Sequence, residues 1–228
     1  MFAFLITTCL LGADPAPLSA KDAFRPLNPL IGSWKGTGYP DGTRDQRQKG
    51  YWTETIAWEW RFDKGDTRLT AAFEKGKHFT RWDLRYRPAE KVYRLTAVTP
   101  AKETLVFTGV LTVGKQKEQI LTLERADDSK KEDQRLVITL LHPNRYLYRW
   151  ETRPAGAGAF ARQYQVGATK EGVPFAGVPK GPECIVSGGK GTIPVSYKGK
   201  TYYVCCSGCR EEFRANPEKY IKEYEKKK

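Results

Sequence analysis

From Leu30 to Val166 the chain breaks into ten short runs rich in Thr, Val, Tyr, Trp and Phe, each closed by a turn signal. This rhythm leaves few folds open. The runs span 32–38, 51–62, 67–74, 77–87, 91–98, 103–113, 118–125, 134–141, 145–153 and 159–167, and Asp41-Gly42, Lys64-Gly65-Asp66, Lys75-Gly76 and Pro143-Asn144 punctuate them. β-branched and aromatic residues suit a pleated, half-buried surface, and Gly, Asn and Asp supply the backbone of the turns. Ten strands with connections this short predict an antiparallel meander, and a meander of this size removes its exposed edges by closing into a barrel. The fold class read here is mainly β: an antiparallel barrel of about ten strands, followed by a small α+β module of one hairpin and helices.

Alternation along the second run separates an inside from an outside. Trp52, Ile56, Trp58, Trp60 and Phe62 share one face, and Tyr51, Thr53, Thr55, Glu59 and Arg61 share the other. Glu54 falls on the apolar face, where a carboxylate needs a partner or water. In the fourth run His78 has the parity of Trp82, Leu84 and Tyr86. Glu54, Trp58 and His78 are therefore candidates to line a cavity for a small apolar ligand. The competing reading pairs Glu54 with an arginine and leaves His78 exposed beside its turn.

The opening LNPLIGSWKGTG (27–38) carries Gly32-Ser33-Trp34 on the first strand. This resembles the calycin-type barrels, the lipocalin, fatty-acid-binding and nitrobindin-like groups, and ten strands match the latter two better than the eight of a lipocalin. The resemblance implies a structural role for Trp34, across the barrel floor. Nitrobindin-like proteins hold haem through a histidine late in the barrel. Here the histidines are His78 and His142, neither in the last two strands, so haem is not expected.

After Val166 the texture changes. Residues 167–183 are rich in Gly and Pro and read as a linker. The predicted organisation is an export signal over 1–20, a barrel over 24–168, a linker over 169–181 and a cysteine module over 182–226. In the module TIPVSY and KTYYVC form a hairpin about Lys198-Gly199, Ser207 caps a helix running to Ala215, and Asn216-Pro217 starts a second. A unit of about 45 residues has a marginal core and calls for a staple.

Four cysteines supply one. Cys184, Cys205 and Cys209 stand in the spacing C-x20-C-x3-C, from a loop, a strand end and one helical turn further on. Soft thiolates select Cu(I) or Zn(II); three sulfurs suit trigonal Cu(I), and Zn(II) takes a fourth ligand. Cys206 is the candidate for that fourth ligand, and is held as an accessory thiol because neighbours in an extended strand seldom aim at one centre. A disulfide remains open at this point, and so does a set of redox-cycling thiols. Closing a loop of about 20 residues is worth on the order of 3 kcal/mol, against about 10 to 16 kcal/mol for zinc in small domains.

Residues 184–220 resemble a YHS domain, of the wider TRASH group of heavy-metal modules. The resemblance rests on Cys184-Ile185-Val186-Ser187-Gly188, Tyr197-Lys198-Gly199-Lys200-Thr201-Tyr202, Val204-Cys205-Cys206-Ser207-Gly208-Cys209 and Phe213-Arg214-Ala215-Asn216-Pro217-Glu218-Lys219-Tyr220. It implies metal-ion handling with Cys184, Cys205 and Cys209 as ligands. Ile185, Val204 and Cys206 replace the family's proline, aromatic and serine.

The formal net charge of +13 is spread along all 228 residues without a basic stripe or a nucleic-acid motif, so no nucleic-acid partner is expected. The apolar run from Phe2 to Leu11 is too short to span a bilayer, which takes about 20 residues, and suits a secretory signal. No transmembrane span is predicted, nor a lipid anchor at Cys9. There is no Ser-His-Asp set, phosphate loop or carboxylate pair to support an enzyme. The expectation is an exported, periplasmic or cell-envelope, non-enzymatic protein that handles or senses copper or zinc, receiving its metal from a delivery protein. The alternative is a carrier of a small apolar ligand whose cysteines are structural.

Overall fold

The computed structural model describes residues 18–63, 65–127, 132–155, 158–173 and 181–226. The expected export signal lies almost wholly outside them. Ten strands form the barrel: β1 (Gly32–Pro40), β2 (Trp52–Asp63), β3 (Asp66–Glu74), β4 (Arg81–Arg87), β5 (Val92–Val98), β6 (Thr104–Val113), β7 (Gln119–Asp127), β8 (Glu132–His142), β9 (Arg145–Pro154) and β10 (Ala161–Lys170). Each pairs antiparallel with its neighbours in sequence, and β1 pairs with β10 to close the ring. The predicted ten-strand antiparallel barrel is the observed fold, and it is consistent with a calycin-like barrel.

Two helical pieces flank β1. Before it, α1 (Ala20–Ala23) and a 3-10 turn (Arg25–Leu30) lay Phe24, Leu27 and Leu30 into one end of the barrel, fully buried. Phe24 meets Trp60 edge-on at 5.6 Å, and the Tyr93 hydroxyl donates to the Ala23 carbonyl at 2.5 Å. After it, α2 (Arg44–Gly50) is a helix the strand rhythm hides. Thr43 and Gln46 form a reciprocal capping box at its start. The fourth strand begins at Arg81 rather than Lys77, because the chain turns at Lys75, which has a φ of 58°, before burying Phe79.

Parity along β2 holds: Glu54, Ile56, Trp58 and Trp60 are buried, and Thr53, Thr55, Ala57 and Glu59 are not. Large rings fill the interior. Trp82 stands 4.8 Å from Phe73, 5.1 Å from Tyr148 and 5.8 Å from Trp58, all near-perpendicular, the offset that aromatic quadrupoles favour. Trp34 packs against Tyr146 at 4.7 Å and donates its indole N–H to the Leu30 carbonyl at 2.7 Å. It thereby ties the first strand to the end-closing turn.

The C-terminal module is the hairpin β11 (Ile193–Tyr197) and β12 (Lys200–Val204), then α3 (Ser207–Ala215) and α4 (Pro217–Glu225). Lys198 and Gly199 both have positive φ, 47° and 77°, which matches the twist that a two-residue hairpin turn requires. The helix caps differ from expectation. Cys206, not Ser207, is the N-cap of α3, and the Ser207 hydroxyl instead donates to Glu59 of β2 at 3.1 Å. Asn216 begins α4 as predicted, yet its side chain bonds back to Glu212 rather than capping. Among the described residues, no helix is long and apolar enough to cross a membrane.

Candidate metal centre

A loop, a strand end and the first turn of a helix deliver the sulfurs. Around Cys184 the chain folds into a tight knuckle: the Gly188 N–H returns to the Cys184 carbonyl at 2.8 Å, and the Cys184 N–H meets the Gly189 carbonyl at 2.6 Å. Gly188 turns this corner with a φ of 73°, a region costly for any residue with a Cβ. The knuckle aims the Ser187 N–H at the Cys184 sulfur, 3.4 Å away. Cys205 leaves the end of β12, and Cys209 lies in the first turn of α3. The Ile185 N–H binds the Tyr203 carbonyl at 2.9 Å, so the knuckle is stitched to the hairpin strand that carries Cys205.

The Sγ atoms of Cys184, Cys205 and Cys209 all lie within 4.8 Å of one another. Cys205 and Cys209 are 3.5 Å apart. A metal–sulfur bond of about 2.3 Å places tetrahedral ligands about 3.8 Å apart and trigonal ones about 4.0 Å. The observed spacing brackets both values, and the donor set is soft. These residues fit a transition metal ion. All four described thiols are unbridged, at separations well beyond the 2.05 Å or so of a disulfide bond.

Cys184 and Cys209 are buried, and Cys205 is half-exposed. Hydrogen bonds from the Cys205 thiol, then from Cys209, hold Cys184 well below the usual thiol range. Burial, reinforced by the neighbouring sulfurs, pushes Cys209 well above it. Contact with Cys184 likewise raises Cys205. Sulfurs this close cannot all ionise without a cation between them, and binding a metal ion there would release their remaining protons.

Cys206 points elsewhere. Its sulfur accepts the Trp60 backbone N–H at 3.4 Å, on the barrel wall, although it stays 3.9 Å from the Cys205 sulfur. The expected reason, extended-strand alternation, is not the operative one, since both residues lie in the bend between β12 and α3. Trp60 is available because β1 begins at Gly32, opposite Trp58, and leaves the end of β2 without a partner on that side. The module covers this open edge. Gly208 presses onto it so closely that a Cβ there would sit 1.7 Å from the Trp60 carbonyl oxygen.

Other joints were missed in the sequence. Asn28, in the 3-10 turn, donates to the Ser187 carbonyl at 2.9 Å and accepts the Trp60 indole N–H at 3.3 Å, linking barrel end and knuckle. The Ser187 hydroxyl lies 3.3 Å from the Cys205 sulfur. The sequence signal nearest to these joints is Gly188, since glycine readily takes the positive φ that the turn after Cys184 needs. Lys170, at the end of β10, stands over the Trp34 ring at 4.9 Å and donates to the Pro29 carbonyl at 2.7 Å. Burial first, then the charge of Lys190, pushes its ammonium down to about 8.

Glu54, Trp58 and His78 sit inside or at the mouth of the barrel, far along the chain from the cysteines. Among the described residues Glu54 has no arginine partner. Its carboxylate accepts from the Tyr148 hydroxyl at 2.5 Å and from the Trp52 indole at 3.1 Å, and burial raises its pKa. His78 is half-buried rather than exposed, stacked on Tyr164 at 4.0 Å and edge-on to Trp52 at 5.0 Å. Trp58 is fully buried and donates to the Tyr146 hydroxyl at 3.2 Å. Glu54 and His78 thus meet at Trp52, and Trp58 belongs to the packed interior.

No curated protein matches the chain. A crystal structure of Rv2717c from M. tuberculosis aligns over 65% of this chain and 97% of that one, at 17% identity and a TM-score of 0.44. The YHS domain model matches residues 191–224, which hold Cys205, Cys206 and Cys209 but begin after Cys184. The fold brings Cys184 to the others from outside that match. The chain therefore carries a YHS domain at its C-terminus, which implies metal binding, with three close cysteines present.

Proposed function

We propose that this is an exported, non-enzymatic metal-binding protein that handles or senses Cu(I) or Zn(II) through Cys184, Cys205 and Cys209. The reading is carried by one observation: three sulfurs from separate parts of the module lie within 4.8 Å of one another. Thiolate softness supports the choice of metals, and a three-sulfur set favours Cu(I) over Zn(II). The half-exposed Cys205 gives an incoming donor one sulfur to approach, which suits transfer from a delivery protein.

Elemental analysis after anaerobic reduction tests the proposal. The parent binds one Cu(I) or Zn(II) per chain, and Cys184→Ser and Cys209→Ser each lose it. Equal metal content in all three proteins refutes the assignment. Far-ultraviolet circular dichroism spectra of the variants separate lost ligands from lost folding.

A further inference from the structure

We propose that the cleft between the barrel and the cysteine module is a binding site for a small organic anion bearing carboxylates, held by cations from both sides. The cleft has a volume of about 640 Å³, within the 300 to 1,000 Å³ or so typical of small-molecule sites and far larger than an inorganic ion needs. The barrel contributes Arg25 and Lys170 to its wall, and the module contributes Lys190. Among the described residues none of these three is paired with a carboxylate, whereas most other ion pairs of this basic chain join arginines to acids along the strands. Among the described lining residues Glu171 is the one acid, so their balance is positive.

The arrangement selects a class of ligand. An arginine fork and two ammonium groups on opposite walls match a molecule with more than one carboxylate, because the guanidinium takes a carboxylate in a two-point bond and each ammonium takes a point charge. Pro29 and Val173 line the same space and offer apolar contact to a carbon skeleton. A ligand of this kind bridges barrel and module. It also stands beside Cys205, which lines the cleft.

This inference goes beyond the metal reading, since its cations are not metal ligands. Citrate is the probe, titrated into the full-length, reduced, metal-free protein by calorimetry at low ionic strength. Saturable one-to-one binding is expected, with about tenfold weakening in Arg25→Gln and in Lys190→Gln, both exposed positions, as loss of one charge-assisted bond predicts. Lys117→Gln, in the turn between β6 and β7, leaves affinity unchanged. Because the titrated protein is metal-free, failure of the metal proposal leaves this one standing, and the reverse. Three results overturn it: no saturable binding, equal losses in Lys117→Gln and the cleft variants, or inorganic phosphate binding as tightly as citrate.

Discussion

Gly208→Ala pits two effects of opposite sign against each other. Replacing glycine in a helix by alanine is worth up to about 1 kcal/mol in favour of the folded state, and less near the N-terminus. Against this, the new Cβ lands 1.7 Å from the Trp60 carbonyl oxygen and 2.8 Å from its carbon, half the ordinary 3.4 Å contact in the first case. The neighbour is strand backbone, held on its other side by pairing of Trp60 with Leu69, so it cannot swing aside. The start of α3 has to lift off β2. Lifting it lengthens the Trp60 N–H to Cys206 bond and the Ser207 to Glu59 bond, now 3.4 and 3.1 Å. Overpacking of this kind costs about 1 to 3 kcal/mol, and each hydrogen bond about 0.5 to 1.5 kcal/mol. Sterics therefore win, by roughly 1 to 5 kcal/mol, the upper end applying if both hydrogen bonds are lost. Urea unfolding followed by tryptophan fluorescence reports the change directly, because Trp60 is at the joint. The variant should lose stability and bind metal more weakly, since α3 also carries Cys209. An unchanged or raised midpoint, with unchanged metal affinity, refutes the docking of α3 on β2.

Two further outcomes follow from the same geometry. Cys206→Ser should keep one metal per chain, because serine still accepts the Trp60 N–H and the three close sulfurs remain; loss of the metal in elemental analysis would show Cys206 to be a ligand. His78 is held neutral down to about 4, against 6.5 when free, by burial and then by the charge of Lys77. Between those values the unfolded chain holds more protons, so folding stability falls as pH drops from 6.5 toward 4. Glu54 has the opposite sign: its raised pKa gives stability below its unfolded value of 4.5 that is lost as pH rises. His78→Phe keeps the ring on Tyr164 and should flatten or invert the acid limb of a plot of Tm against pH; an unchanged limb would mean that His78 is not the group responsible.

What was legible in the sequence was what repeats or is local. The ten strands were readable because side-chain alternation and turn residues are written every eight to twelve positions, and pairing each strand with the next needs no further information. The turn at Lys198-Gly199 and the Pro217 helix start were readable for the same reason. The helix α2 was missed although Thr43-x-x-Gln46 is its capping signal, because the short segment has no buried face to give it a period. Cys206 shows the other limit. Its role depends on the Trp60 N–H, which lies 146 positions away and is left outside the β1–β2 ladder because β1 starts at Gly32.

The joint between barrel and module follows from that vacancy in the β-ladder. A strand end left without a partner has an N–H and a carbonyl that must be satisfied if they are to be buried. Here a thiol takes the N–H, and a glycine lets a helix approach the carbonyl. The helix that seals the barrel edge is the one whose first turn holds Cys209, and the N-terminal turn that plugs the barrel end holds Asn28 against the knuckle of Cys184. Two of the three sulfurs are thus positioned by the barrel as well as by their own module. A change of sulfur spacing on metal binding has to be accommodated at the Trp60 edge and at Asn28, and those two contacts are where barrel and metal centre are mechanically joined.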